Sequence, residues 1–261
     1  MPEGHTVHRI AKRFEKDFQD KKLKVLSPQG RFTDAALVTG KKLTSAQAYG
    51  KQMFLFFGKS AVRIHLGIYG KWSFQSFESS PPEPKGQVRA RFLSANSLAD
   101  LRGPTACEVI DIEGFKEAIS KLGPDPIRRD KDSLEVFSKR IKSSSRSIAE
   151  LLMDQSTVAG IGNVYRAELL FRARVNPLTP GKKLPTELIE SIWLDAVKLM
   201  PIGVRTGLML TREGYLKSNV SLEDRYYVYK RTGEPCRDCG GPVSMKLLAG
   251  RKLYWCRKCQ K

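Results

Sequence analysis

The chain has 261 residues, with 46 Lys and Arg against 27 Asp and Glu, giving a net charge of +19. That length can bury one sizeable core or two modest ones, and that charge points to a nucleic acid whose binding falls steeply with salt. No apolar run approaches membrane-spanning length, and the start Met-Pro-Glu-Gly-His does not read as a signal peptide, so a cytosolic protein without membrane contact is expected. The cations are spread along the chain rather than gathered in a tethering tail. A basic protein without a polyanion partner, or one bound to acidic membranes, is the alternative.

Pro2 follows Met1, and a small second residue permits removal of the initiator, which would leave a secondary amine at the chain end. An α-amino group titrates near 7.7 to 8, and the positive end of a following helix lowers it further. Uncharged, such an amine can attack an aldehyde-like carbon and form an iminium, with Glu3 beside it as acid or base. On residue types alone a frayed terminus is the simpler reading.

Residues 6–18 fit an amphipathic helix capped by Thr6, with Val7, Ile10, Ala11, Phe14 and Phe18 on one face. From about 22 to 113 short alternating segments, such as Val62–Leu66 and Val88–Phe92, predict a β-sandwich or barrel. Lys51 opens an apolar run ending at Phe57, and Leu122-Gly-Pro-Asp-Pro126 predicts a linker. Beyond it helical periods appear at 146–154, 163–173 and 185–200; the stripe Leu188, Ile189, Ile192, Trp193, Ala196, Val197 and Met200 is core. Residues 211–224 are polar and predict a mobile loop.

Between two of these helices lies Gln155-Ser-Thr-Val-Ala-Gly160-Ile-Gly162-Asn163. Its glycines allow a tight turn, and Asn163 is placed to cap the next helix, whose amino end suits a phosphate. An ordinary helix corner that binds nothing is the competing reading.

Near the end stand Cys236-x2-Cys239 and Cys256-x2-Cys259, sixteen residues apart. Two knuckles joined by a β-ribbon can close a tetrahedral structural zinc site. Two disulfides, or a redox pair lacking its βαβ context, are the alternatives. Lys246, Arg251, Lys252, Arg257 and Lys258 cover the ribbon with cations. Cys107 is left over and reads as a small apolar packer.

Together these segments resemble one family. Pro2-Glu3-Gly4, Gly50-Lys51, His65-Leu-Gly-Ile-Tyr-Gly70, Leu151 to Tyr165, and the ribbon ending Tyr254-Trp-Cys-Arg-Lys-Cys-Gln260 occur in the order of the Fpg/Nei family of DNA glycosylase/AP lyases. The resemblance implies an α+β multidomain fold, with DNA in the cleft between its parts. Residues 1–122 would be a β-sandwich with flanking helices, 123–224 a helix–two-turn–helix domain, and 225–261 the zinc ribbon. It implies that Pro2 attacks C1′ of a damaged nucleotide and Glu3 moves protons. Lys51, Asn163 and Arg251 would hold phosphates around the extruded nucleotide, although by themselves Lys51 and Arg251 read as solvated strand-end and hairpin cations. Ile68 would fill the gap left in the duplex, with Tyr69 supporting it; packing of both into the sandwich core is the alternative.

The Ile-Tyr-Gly and Tyr-Trp-Cys segments are similar to the endonuclease VIII branch, which acts on oxidised pyrimidines. Gly67 departs from the glutamine often found there, which removes one contact to the orphaned base that the resemblance would otherwise imply. The expectation is a monomeric bifunctional enzyme with one structural zinc and no dissolved cofactor. A non-catalytic damaged-DNA-binding protein on the same scaffold is the rival, which retention of Met1 would produce; a zinc-ribbon RNA-binding protein is a more distant one.

Overall fold

The computed structural model describes residues 2–217 and 220–261; Met1, Ser218 and Asn219 lie outside the described residues. Two compact units emerge, Met1–Lys121 and Leu122–Lys261.

The first unit opens with α1 (Gly4–Phe18). Thr6 is not its cap: the helix begins two residues earlier, and the Thr6 N–H donates to the Glu3 carbonyl at 2.9 Å. Val7, Ala11, Phe14 and Phe18 repeat at helical spacing and are buried. Phe14 meets Trp72 edge-on, ring centroids 4.8 Å apart. After β1 (Lys24–Leu26) and the short α2 (Ala35–Val38) come β2 (Ser45–Tyr49), β3 (Gln52–Phe57) and β4 (Ser60–His65). Then follow β5 (Lys71–Ser76), β6 (Val88–Leu93), β7 (Ser97–Arg102) and β8 (Ala106–Asp111). They form two antiparallel four-stranded sheets, ordered β2-β3-β4-β8 and β1-β6-β7-β5.

Strand β3 explains its own sequence. Met53, Leu55 and Phe57 enter the core shared with α1, while Phe54 and Phe56 pack with Phe115 and Ile119 of α3 (Ile112–Ser120). Both faces are covered, so the strand is apolar throughout instead of alternating. Helix α3 went unpredicted although Asp111 caps it through the Gly114 N–H at 2.8 Å.

In the second unit α4 (Ser133–Lys142) was likewise missed, although Leu134, Phe137 and Ile141 carry its period. The helix expected over 146–154 is only α5 (Ile148–Leu151), started by a Ser147–Glu150 capping box. Next come α6 (Asn163–Arg172) and α7 (Thr186–Thr206), which runs through Pro201. Proline cannot donate to the carbonyl four residues back; the Arg129 guanidinium supplies that hydrogen bond to Val197 O at 2.9 Å. The expected core stripe of α7 is buried at Ile189, Ile192, Trp193, Ala196 and Met200 and half-buried at Leu188 and Val197. Strands β9 (Val243–Leu248) and β10 (Arg251–Cys256) make the terminal hairpin. No helix among the described residues is long and apolar enough to cross a membrane.

Candidate nucleic-acid interface and zinc ribbon

Pro2 is half-buried and Glu3 fully buried immediately before α1. The Glu3 carbonyl accepts from Thr6 and Val7, so the helix start fixes the backbone that carries its carboxylate. His5 follows at the same end; burial, then the neighbouring His8 and Arg9, lower its pKa to about 4. A neutral imidazole therefore stands in the first turn at physiological pH. Lys51 sits in the two-residue turn joining β2 and β3, where Tyr49 pairs with Gln52. Helix α1 packs on both strands of that hairpin. Burial, then Lys51 and Arg63, lower the pKa of His65, which pairs with Gln52 across β3 and β4.

The loop 66–70 carries the chain from one sheet to the other, between β4 and β5. Ile68 is 52% and Tyr69 84% exposed, which excludes the alternative that both pack into the sandwich core. Two close approaches shape this loop. A Cβ on Gly67 would lie 1.9 Å from Thr105 Oγ1, and φ there is +63°. A Cβ on Gly70 would lie 2.2 Å from Leu66 O, which accepts the Gly70 N–H at 2.9 Å. A side chain at position 67 would therefore have to displace the Thr105 hydroxyl and hold a left-handed backbone conformation. Sequence reasoning missed Thr105, 38 residues away in the numbering.

In the second unit Gln155 organises the corner before α6. Its amide donates to Met153 O at 3.1 Å and Ile161 O at 3.0 Å, and its oxygen accepts from Gly160 N at 3.0 Å. Asn163 is not the cap; Gly162 holds that position and makes no side-chain cap bond. Instead Asn163 Nδ2 donates to Lys252 O at 3.0 Å. The buried Arg166 joins the same carbonyl at 3.1 Å and also bonds Asn163 Oδ1. The structure thus brings Asn163 beside β10, the hairpin strand that begins at the exposed Arg251.

One turn further, the fully buried Glu168 accepts from the Tyr227, Val228 and Tyr229 N–H groups at 2.7, 2.9 and 2.9 Å. The Thr211 hydroxyl adds a fourth bond at 2.7 Å. Burial pushes this carboxyl above the ordinary range, and the four donors pull the other way. The Thr211 hydroxyl also lies 2.9 Å from the Arg225 carbonyl, so it links the carboxyl to the chain beyond the loop. Arg172 then bridges Asp195 of α7, Glu213 and the Thr211 carbonyl. Both ends of the 211–224 region are thereby anchored, and its described residues contain neither helix nor strand. Arg212 stacks 4.2 Å from the Tyr215 ring centroid and pairs with Asp224 at 2.8 Å. Ser218 and Asn219 of this expected loop lie outside the described residues.

The cysteine sulfurs at 236, 239, 256 and 259 lie within 4.8 Å of one another. The distances Cys236–Cys259 and Cys239–Cys256 are 3.8 and 3.5 Å, and all four thiols are unlinked. Zinc–sulfur bonds of about 2.3 Å place tetrahedral sulfurs about 3.8 Å apart, so the set fits one structural zinc and rules against disulfides. Gln260 locks the second knuckle, accepting from Cys256 N at 2.9 Å and donating to Val175 O at 2.9 Å. Burial pushes the Cys107 thiol up to about 12, which makes it a poor nucleophile.

Known proteins share this arrangement. The formamidopyrimidine-DNA glycosylase N-terminal domain matches residues 1–107, and the H2TH domain of the same glycosylase matches 122–213. The zinc finger found in FPG and IleRS matches 233–261. Endonuclease 8 1 of Mycobacterium tuberculosis is 44% identical over 269 residues, covering 100% of both chains. The formamidopyrimidine-DNA glycosylase of Ligilactobacillus salivarius is 27% identical, covering 100% of this chain and 99% of its own. Among solved structures, MutM (Fpg) of Thermus thermophilus superposes with TM-score 0.81 at 26% identity, over 99% and 98% of the two chains. The Lactococcus lactis Fpg complexed with abasic-site DNA gives 0.83 at 23% identity and 99% coverage of both, a likeness of fold alone. The chain belongs to the Fpg/Nei family of DNA glycosylase/AP lyases, and the endonuclease 8 relatives stand well above the formamidopyrimidine glycosylases in identity.

Proposed function

We propose that this protein is a bifunctional DNA glycosylase and AP lyase acting on oxidised bases, chiefly pyrimidines. The observation that carries the reading is the full-length 44% identity to endonuclease 8 1 in a chain that places Pro2 and the buried Glu3 at the head of α1. The Pro2 nitrogen bonds to C1′ as the glycosidic bond breaks and the base departs with a proton. Glu3 protonates the opening sugar. The resulting iminium draws electrons from the neighbouring C–H bond, so the 3′ C–O bond breaks and then the 5′ one. Lys51 on the first unit, and Asn163 and Arg251 on the second, hold phosphates. Ile68, supported by Tyr69, replaces the extruded nucleotide in the stack. Zinc is structural, and its part is to fix the hairpin that carries Arg251.

The protein works as a monomer on damaged DNA in the bacterial cytosol or nucleoid, without dissolved cofactor. Functionally it divides at 1–122, 123–224 and 225–261. Borohydride trapping on a duplex with one abasic site tests the reading, with mass spectrometry locating the crosslink. A covalent adduct at Pro2 is expected. Tight binding without an adduct, on protein whose Met1 is confirmed removed, would instead mean a damage-binding module.

A further inference from the structure

The outer side of the zinc ribbon carries a groove that none of the chemistry above uses. Its volume is about 550 Å³, and its lining includes Leu178, Met245, Trp255, Lys246, Arg257 and Lys261. Leu178 and Met245 are each 39% exposed, although the same unit offers deep apolar burial elsewhere. Trp255 sends its far side into the helical core, and the Arg257 guanidinium lies 5.7 Å from its ring centroid. Three cations face the groove, and its lining holds no Asp or Glu. The walls are rigid: β9 pairs with β10 along its whole length, and Gln260 ties the second knuckle to Val175.

A DNA backbone would satisfy the cations and leave the apolar floor wet. A sugar or free phosphate would do the same. An extended peptide carrying carboxylates around one bulky apolar side chain satisfies both. We infer that this groove is a docking site for an acidic, apolar-anchored peptide segment of a protein partner. The apolar side chain sits on Leu178 and Met245 over the buried Trp255, and flanking carboxylates pair with Lys246, Arg257 and Lys261. Charge complementarity favours the acidic sequence, and the exposed Leu178 and Met245 favour the anchor. The site is independent of Pro2 chemistry, so it stands or falls apart from the lyase reading.

The probe is the fluorescein-labelled peptide Asp-Glu-Asp-Leu-Asp-Phe, titrated with full-length zinc-loaded protein by fluorescence anisotropy at physiological salt. A control peptide carries Ser in place of Leu and Phe. Wild-type protein should bind the probe at least about tenfold more tightly than the control. Arg257→Glu and Lys246→Glu should each weaken probe binding by about tenfold. Leu178→Asp, which lies outside the ribbon sequence and holds no zinc, should do likewise while abasic-site cleavage stays at the wild-type rate. Far-UV circular dichroism and zinc content confirm that each variant is folded. Equal binding of probe and control would overturn the proposal, because the apolar floor would then be unused. It would also fall if the three variants bound the probe normally, or if they lost affinity for undamaged duplex by the same factor as for the probe. The last outcome would make the groove a nucleic-acid contact.

Discussion

Replacement of Glu168 tests how the second unit is held together. The carboxylate is fully buried and receives three backbone N–H groups and one hydroxyl. Glu168→Ala leaves three backbone N–H groups without an acceptor, while the Thr211 hydroxyl keeps the Arg225 carbonyl at 2.9 Å, and it opens a void. Each orphaned buried donor costs about 1–3 kcal/mol, and such costs are not additive, so about 4 kcal/mol in total is expected. Glu168→Gln keeps the volume and one carbonyl oxygen. Its amide NH2 faces donors on one side, so at least one N–H is orphaned, for about 2 kcal/mol. With a denaturant slope near 2 kcal/mol/M, these become urea midpoint shifts of about 2 M and about 1 M. Trp193 and Trp255 lie in the core of this unit. Their fluorescence, in a Trp72→Phe background, reports its unfolding separately from the first unit. Hydrogen exchange at Tyr227, Val228 and Tyr229 should accelerate in both variants. A midpoint shift below about 0.3 M for Glu168→Ala would refute the argument, because the donors would then be satisfied without the carboxylate.

Two further expectations concern the first unit. Gly67→Ala should cost about 2–3 kcal/mol, combining left-handed backbone strain with the Thr105 clash. Adding Thr105→Gly should recover the clash and leave the strain, read by thermal unfolding of the four members of the double-mutant cycle; strict additivity would contradict it. His5, held neutral with a pKa of about 4, contributes stability that is complete above its unfolded pKa of 6.5 and lost as pH falls towards 4. Urea unfolding should show about 2 kcal/mol lost between pH 7 and 5 that a His5→Gln variant does not lose, and parallel profiles for the two proteins would exclude the linkage.

How much was legible depended on the range of the interaction. The zinc ribbon could be read because two knuckles impose local spacing, and β3 because five adjacent apolar residues, Met53 to Phe57, show both buried faces. Helix α6 was found, but its chemistry was not. Glu168 and Tyr227 are 59 residues apart, and no local pattern announces their meeting. Asn163 was misassigned as a cap for the same reason: its partner carbonyl at Lys252 lies 89 residues on. Thr6 was preferred as a cap on residue type, whereas the helix starts from an uncapped Glu3 backbone. Helices α3 and α4 were missed despite adequate signals, Asp111 before Phe115 and Ile119 in one, the Leu134, Phe137, Ile141 spacing in the other. The exposure of Ile68 and Tyr69 agrees with the wedge that the family resemblance implies, although two apolar letters between glycines do not by themselves announce it.

Helix α6 has no solvent-facing side: every residue from Asn163 to Phe171 is buried. Its start grips the ribbon hairpin, its middle grips both ends of the 211–229 segment, and its end grips α7. A helix so enclosed cannot unfold by fraying into water while its neighbours persist. The free energy of metal binding is therefore shared with the helical block rather than confined to the ribbon. Heat, chelation and proteolysis should all register on it as one cooperative event.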